Sequence, residues 1–487
     1  MLKSFFKDTA IYGIAAILPR VINLAMVAIF TMVLGKAEFS DQTTWYVYAA
    51  FINIVLTMGI ETSFFRFYTS ESDKEKVITT ASFILLVSSG LFLILGMFLS
   101  EYATSFLGFN DHRFVQILIL ITVLDTLVVI PFALLRVTGR PIRYMMVKLS
   151  NVLVLFVITA FLLLVAPQLK DADYSFLKII GIGKTFNPGV IHIIIANLFA
   201  SLFTIFILAP EVLKIKWKVD KILLKKLLNY GWPIMVGGIA FTINENMDKL
   251  LIQTLIDKES NGVYAACYKL GVFMTLYITA FRLGAEPFFF KNANGENAKN
   301  NYSLIMTWFV IFGCIFMVFV TGFLDILAGI IIKNDIYLEG LYIVPVILLA
   351  NLFSGIYNNL SIWYKLTDRT RFGMYISIFG AVITIVSLLT FVPALGIMGG
   401  AVATLFTYAL MALLSWSIGQ KYYPVSYDLN KITFHIISAT ALCALSFLVF
   451  RGNIGVNATI FSSYLLIIYI SERKNLNKIL TKKTNKM

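Results

Sequence analysis

Ionisable side chains interrupt several of the longest apolar runs in this chain. Arg20 lies in the stretch ILPRVIN (17–23), inside an apolar run from Thr9 to Leu34. At a rise of about 1.5 Å per residue such a run is long enough to cross a bilayer. A buried arginine at that depth costs roughly 2.5–3.5 kcal/mol on insertion scales. Residues of this kind normally face a bundle interior or a water-filled cavity, which indicates a path for a polar solute.

Four basic residues lie inside predicted spans, at two depths. Arg20 and Arg282 are roughly 16 and 12 Å from the inner ends of their spans, and Lys249 and Lys269 are about 10 Å from the outer ends. Two cationic levels suit an anionic solute such as a phosphate, which a guanidinium binds through two oxygens. The structural alternative is pairing with an acid, such as Glu61 for Arg20.

Acidic and amide side chains recur at helical spacing in the same spans. One stripe runs from Asn53 through Thr57 to Glu61, and a second contains Glu245, Asp248, Lys249 and Gln253. Such stripes predict a polar cavity or a cation-coupling site, with structural pairing as the alternative, for example between Arg282 and Glu286 one turn apart. The candidate polar residues are Asn23, Asn53, Glu61, Asp125, Glu245, Asp248 and Glu286.

The composition indicates that membrane-spanning helices hold these residues in place. The 487 residues are 59% hydrophobic and 14% charged, whereas soluble chains are about 45–50% apolar and 25% charged. The fold class is therefore an all-α polytopic membrane protein. Three cysteines and three histidines are scattered, so neither a disulfide framework, a metal site nor a cofactor is indicated. The long first apolar run argues against a cleavable signal peptide.

Hydropathy windows predict fourteen spans, which the positive charges orient. The spans lie near 9–34, 43–66, 77–99, 114–136, 145–166, 189–213, 232–256, 262–290, 302–323, 338–364, 371–393, 397–420, 431–450 and 454–471. With both termini cytoplasmic, 28 of the 40 lysines and arginines fall on the cytoplasmic side. The basic balance is thus topological, and it does not indicate nucleic acid as a partner.

The chain divides at a basic segment midway along its length. Leucines at i, i+4 spacing and lysines on another face predict an amphipathic helix on the anionic membrane surface there. The predicted units are a seven-helix lobe (1–213), this linker (214–231), a second seven-helix lobe (232–471) and a basic tail (472–487). The stretches 34–51 and 255–271 resemble each other, and internal repeats of this kind are typical of transporters with a site between the halves.

Several stretches resemble one family of membrane proteins. They are KDTAIYGIAAILPRVINLAMVAIFTMVLGKAEF (7–39), TMGIETSFFRF (57–67), LKKLLNYGWPIMV (224–236), MDKLLIQTLIDKESNGVYAACYKLG (247–271) and LGIMGGAVATLF (395–406). In order and spacing they look like the polysaccharide-biosynthesis, Wzx-type oligosaccharide flippases of the multidrug/oligosaccharidyl-lipid/polysaccharide exporter superfamily.

The resemblance implies a two-lobed fold of fourteen helices around a central cavity, working by alternating access. The implied substrate is a polyprenyl-diphosphate-linked oligosaccharide, moved to the outer leaflet of a bacterial inner membrane for O-antigen, capsule or exopolysaccharide assembly. Membrane lipids, a polysaccharide polymerase and glycosyltransferases are the implied partners. In similar flippases arginines on the first, second and eighth helices line the cavity, which Arg20, Arg66 and Arg282 match, Arg66 less closely.

Two other functions stay open at this point. Similar drug exporters use a membrane-embedded acid on the first helix for cation coupling, and here the first span has no acid after Asp8. A cation-coupled exporter of small molecules is nevertheless the main alternative, since the acids elsewhere could serve it. A membrane enzyme such as a glycan polymerase or acyltransferase would need a catalytic loop or an embedded histidine site, and neither is evident. We therefore expect a transporter and not an enzyme.

Overall fold

The structure is a computed structural model, and the part of the chain that it describes is helical almost throughout, without a β-strand. It describes residues 2–169, 185–212, 219–291, 295, 297–367 and 369–484, with side chains at all of these except 2–16, 286–287, 290–291 and 474–484.

The helices of the first half precede residue 213 and those of the second half follow residue 220. The first half contains α1 (Leu2–Val33), α2 (Lys36–Thr57), α3 (Ile60–Ser70), α4 (Lys74–Phe98), α5 (Ser100–Phe106), α6 (His112–Leu127), α7 (Val129–Val137), α8 (Pro141–Ala160), a π-helical turn (Phe161–Val165), α9 (Ala166–Leu169) and α10 (Val190–Val212). The second half contains α11 (Lys221–Leu255), α12 (Lys258–Tyr268), α13 (Val272–Lys291), α14 (Ala298–Gly322), α15 (Leu324–Ile331), α16 (Val344–Leu360), α17 (Ile362–Leu366), α18 (Arg371–Leu395), α19 (Ile397–Tyr422), α20 (Leu429–Leu448) and α21 (Ile454–Thr484). The 3₁₀ segments Lys269–Gly271 and Asp335–Ile343 lead into α13 and α16.

Twelve helical segments in the described residues are long and apolar enough to cross a membrane. Two more helices are of comparable length: α1, whose described apolar part is Ile17–Val33, and α11, which contains the charged stripe predicted from the sequence. The all-helical, multi-pass fold class is thereby confirmed. The short α15 lies between the predicted spans 302–323 and 338–364.

The predicted second span is broken in the middle. Met58 and Gly59 have φ values of 46° and 68°, in the left-handed region, so α2 ends and α3 begins there. A side chain at Gly59 would also meet the Gly231 carbonyl oxygen of α11 at 2.5 Å, which explains why glycine is needed. The regular spacing predicted from Asn53 through Thr57 to Glu61 is interrupted by this break.

The described part of the predicted linker differs from a helix on the membrane surface. Residues 221–231 are the first turns of the 35-residue helix α11, which Asp220 caps by accepting hydrogen bonds from the Ile222 and Leu223 amides. Leu223 and Leu227 are buried in one hydrophobic cluster with Ile60 of the first half. The periodic leucines therefore pack between the two halves. Residues 213–218 of this region lie outside the described part of the structure.

The two halves meet most closely at one end of the bundle. We call this the outer end, following the orientation that the charges predict, and the opposite one the inner end. There α12 packs on α2, and a Cβ atom at Gly262 would lie 1.9 Å from the Lys36 carbonyl oxygen. The largest hydrophobic core joins residues of both halves near this contact, such as Phe39 and Tyr337. The outer end is closed between the halves.

Candidate functional site

Arg20 lies at the boundary between the halves. Its guanidinium donates a hydrogen bond to the Thr279 hydroxyl at 2.5 Å and approaches the Thr275 carbonyl oxygen at 3.5 Å, both on α13. The side chain remains exposed, and the charges of Arg282 and Glu245 both act on it. The structure thus brings the predicted cavity residues of α1, α11 and α13 into electrostatic range of one another.

Arg282 faces a narrow space next to this group. It shares that space with Asn358, Ser361 and Lys365. The same three residues also line a larger cavity of about 650 Å³ in the inner half of the bundle, so Arg282 lies beside this inner cavity.

Aromatic and basic side chains line the inner cavity. They belong to α11, α16, α17 and α18, and include Trp232, Phe241, Tyr357, Tyr364, Lys365, Arg371 and Tyr375. Aromatic faces beside hydrogen-bonding groups can stack on apolar ring faces while the basic groups contact anionic substituents. Sequence reasoning missed this wall, because Lys365 and Arg371 read as loop charges and the aromatic residues lie far apart in the chain.

Lys249 and Asp248 form a buried ion pair on α11. The two groups are 2.9 Å apart, with 7 and 4% of their side chains exposed. Tyr264 donates a hydrogen bond to the same carboxylate at 2.6 Å, and the ammonium lies 3.7 Å from the Tyr268 ring centroid. One turn earlier, Glu245 accepts a hydrogen bond from Tyr408 at 2.8 Å. The predicted stripe on α11 therefore consists of partnered groups.

Lys249 also lines a second cavity, in the outer half of the bundle. This outer cavity has a volume of about 260 Å³ and lies between α1, α2, α8 and α11. Lys269 and Asn23 line it as well. Lys249 and Lys269 thus share one cavity, whereas Arg282 lines only the narrow space beside the inner cavity.

The remaining predicted residues line neither cavity. Glu61 pairs with Arg136 at 3.1 Å, so the expected alternative of a pair with Arg20 is not observed. The Arg66 guanidinium lies 4.6 Å from the Tyr230 ring centroid. Asp125 accepts a hydrogen bond from Ser201 at 2.8 Å within the first half.

Two predicted residues have no assigned partner. The Asn53 side-chain oxygen is buried and finds no hydrogen-bond donor among the described residues. The Glu286 side chain lies outside the described part of the structure, so its predicted pairing with Arg282 stays a prediction. In the part of the chain that is described, no group of three or more His, Cys, Asp or Glu side chains could hold a metal ion.

Polar side chains from both halves seal the outer end above the outer cavity. The Gln253 side-chain oxygen of α11 accepts hydrogen bonds from Ser40 and Thr44 of α2, at 2.9 and 2.6 Å. Asn261 of α12 donates to Ser40 at 2.7 Å, and Lys258 pairs with Asp41 at 2.7 Å. We call these residues the outer gate.

A multi-pass helical fold, with an outer cavity lined by both halves and a larger inner cavity within the second half, fits a membrane transporter or flippase. More particularly, the chain belongs to the polysaccharide biosynthesis protein family, whose model matches residues 5–293. This confirms the family that the sequence motifs resemble.

Solved structures with the same fold include a flippase and drug transporters. The chain is similar to the lipid II flippase MurJ in an inward closed conformation, with a TM-score of 0.72 and 15% identity, over 96% of this chain and 99% of that one. It is also similar to an inward-facing multidrug resistance MATE family transporter of the MOP superfamily, with a TM-score of 0.67 and 13% identity, over 86 and 95% of the two chains. At such identities the likeness shows the fold alone.

A curated relative is an uncharacterized membrane protein of Methanocaldococcus jannaschii. It is 24% identical over 185 residues, which is 37% of this chain. The match spans 42% of the length of that relative.

Proposed function

We propose that the protein flips a polyprenyl-diphosphate-linked oligosaccharide from the inner to the outer leaflet of a bacterial inner membrane, with both termini in the cytoplasm. Arg20 and Arg282 contact the diphosphate, and the aromatic and basic wall of the inner cavity contacts the sugars. The glycan then enters surface polysaccharide assembly, where a polymerase and glycosyltransferases are the expected partners.

A single observation carries this proposal. Two exposed arginines from opposite halves, Arg20 and Arg282, lie within electrostatic range of each other. The narrow space that Arg282 lines shares residues with the wall of the cavity of about 650 Å³. Like charges repel, so their proximity favours an anion between them. A diphosphate offers closely spaced oxygens that a guanidinium can bind in pairs.

The closed outer gate fits alternating access. A substrate that enters at the inner end meets Arg20 and Arg282, while hydrogen bonds between the halves block its exit. Rearrangement of the two halves would then open the outer end and close the inner one. In this cycle the chain provides binding and movement, with no covalent chemistry.

Substitution of the arginines tests the proposal. Arg20→Ala should reduce flipping about 10-fold or more, because a charge-assisted hydrogen bond contributes on the order of 1.5–3 kcal/mol. Arg20→Lys should restore only part of the flipping rate, since lysine keeps the positive charge but lacks the planar guanidinium group. Arg282→Ala should behave like Arg20→Ala. Outer-leaflet glycan is measured beside the amount of folded protein extracted from the membrane.

The matched control is Arg113→Ala. Arg113 is an exposed arginine paired with Asp111 at 2.7 Å, away from both cavities, and its loss should leave glycan export unchanged. Normal export by a well-folded Arg20→Ala protein would overturn the proposed diphosphate contact.

The alternative of a cation-coupled small-molecule exporter has one observation in its favour. Glu245 is a half-buried acid whose charge acts on Arg20, so a cation bound there would alter the arginine site. Export of a small cationic dye by membrane vesicles, lost in Glu245→Gln, would favour this alternative over flipping.

A further inference from the structure

The outer cavity lies directly below the outer gate. Gln253 of the gate follows Lys249 by four residues, or one turn of α11. The polar residues around the cavity come from both halves and are Asn23, Gln42, Thr43, Tyr46, Asn246, Lys249 and Lys269. A compound could leave this cavity toward the outer side only when the gate separates.

The charged residues that line the outer cavity, Lys249 and Lys269, are both basic. Lys249 is neutralised by Asp248 and also donates a hydrogen bond to the Glu245 carbonyl oxygen at 2.9 Å. Lys269 forms neither a hydrogen bond nor an ion pair with any described residue, and the charge of Lys249 acts on it. A protonated Lys269 therefore leaves one positive charge without a counter-ion at a depth where unpaired charges are costly.

Unused hydrogen-bonding groups surround the same space. The Thr43 hydroxyl is buried and without a partner among the described residues, although buried hydroxyls are normally hydrogen-bonded. Thr43 and Lys269 come from α2 and from the turn that precedes α13, so both halves contribute donors. An anion with several acceptor oxygens would satisfy these groups together.

We propose that the outer cavity is a second anion site, which binds a phosphate-class oxyanion through Lys269 and Thr43. The volume of about 260 Å³ holds a phosphate group with a few waters of about 30 Å³ each. It is smaller than the roughly 300–1,000 Å³ of sites for drug-sized ligands, so the sugars stay outside it.

The site deepens the proposed function and depends on it for its place in transport. Arg20 and Arg282 hold the diphosphate at the inner level, and Lys269 receives it once the halves rearrange. The phosphate itself has two sources, the diphosphate of the lipid or free inorganic phosphate. Both present the same oxygens to Lys269.

The test is thermal unfolding of the purified full-length protein, followed by tryptophan fluorescence in sodium phosphate or sodium gluconate at equal ionic strength. An anion that binds the folded state raises its melting temperature. Phosphate should raise the melting temperature of the wild type by about 2–4 °C, and this shift should saturate as the phosphate concentration increases. The Lys269→Gln variant should lose the part of this shift that Arg20→Ala keeps.

Two further variants provide controls. Lys333→Gln removes an exposed lysine at the outer end whose ammonium contacts only the Gly329 carbonyl oxygen among described residues, and it should keep the full shift. Thr43→Val removes one hydroxyl at nearly constant shape, so it should weaken the apparent phosphate affinity about 5-fold even if Lys269→Gln folds poorly. Wild-type phosphate affinity in Thr43→Val, or a full shift in Lys269→Gln, would overturn the second site.

Arg20→Ala separates this site from the proposed function. It should lose glycan export yet keep the phosphate shift. If Arg20→Ala abolished the shift and Lys269→Gln kept it, the anion would belong to the inner level, and only the second site would fail. Farnesyl diphosphate is the probe for the lipid source: a shift that requires Lys269 assigns the lipid diphosphate to this cavity, and a shift with inorganic phosphate alone assigns the free anion.

Discussion

Burial decides how much each ion pair of this protein contributes to stability. The Lys249–Asp248 pair is almost entirely buried, whereas both side chains of the Glu61–Arg136 pair are 45% exposed. Removing one partner of a buried pair leaves an uncompensated charge and costs about 3–5 kcal/mol. An exposed pair contributes only about 0–1 kcal/mol.

Asp248→Asn should therefore lower the free energy of unfolding by about 3–5 kcal/mol, because Lys249 loses its counter-ion. Glu61→Gln should change it by less than about 1 kcal/mol and serves as the control. The double variant Asp248→Asn/Lys249→Met should recover most of the loss, since it removes the stranded charge. Denaturant unfolding of the purified proteins measures all three, and equal stability of Asp248→Asn and Glu61→Gln would contradict the assignment.

At the scale of the helices, the contact of α12 with α2 requires a glycine at position 262. A Cβ atom at Gly262 would lie 1.9 Å from the Lys36 carbonyl oxygen, which is backbone and cannot rotate away. At Gly35, on the neighbouring turn, a Cβ atom would meet nothing within 4 Å. These two glycines form a matched pair for testing the closed outer end.

Gly262→Ala should force α12 away from α2 and open the outer gate. A cysteine introduced at Asn23, which lines the outer cavity, should then react several-fold faster with a membrane-impermeant maleimide added from outside. Gly35→Ala should leave that rate unchanged. Equal labelling of the two glycine variants would show that the outer end does not depend on this contact.

The sequence predicted the helical spans better than the contacts between the helices. Apolar runs of bilayer length are a local property, so the helical class and most span positions follow from composition alone. The break after Thr57 was missed because the close contact at Gly59 is made by Gly231, which belongs to a distant helix. The leucines of the linker were correctly seen as one face, but periodicity cannot tell a lipid surface from a neighbouring helix.

The sequence drew attention to the charged candidates of the site but not to the aromatic residues that line the inner cavity. Arg20 stood out because an arginine in an apolar run is rare. Trp232, Tyr357 and Tyr375 are ordinary residues in a chain with 15% aromatic content, and only the packing of three helices brings them to one cavity. Long-range pairing likewise decided that Glu61 meets Arg136 and that Thr279 meets Arg20.

At the scale of the whole molecule, the proposed transport cycle requires the outer gate to separate. Ser40 and Asn261 belong to different halves, and their side chains are 2.7 Å apart. Asn151 and Thr204 form a similar contact at 2.9 Å inside the first half. A disulfide bond across the first pair would join the two halves, whereas one across the second pair would join two helices of the first half, which move together in the proposed cycle.

The double variant Ser40→Cys/Asn261→Cys, once oxidised, should therefore stop glycan export almost completely, and a reductant should restore it. Asn151→Cys/Thr204→Cys, oxidised in the same way, should retain export, because that bond stays within one lobe. The three native thiols are buried, which limits unwanted pairing. Outer-leaflet glycan is measured before and after reduction, together with the fraction of cross-linked protein. Unchanged export by a fully cross-linked Ser40→Cys/Asn261→Cys protein would mean that substrate leaves without separation of the two halves at the outer gate.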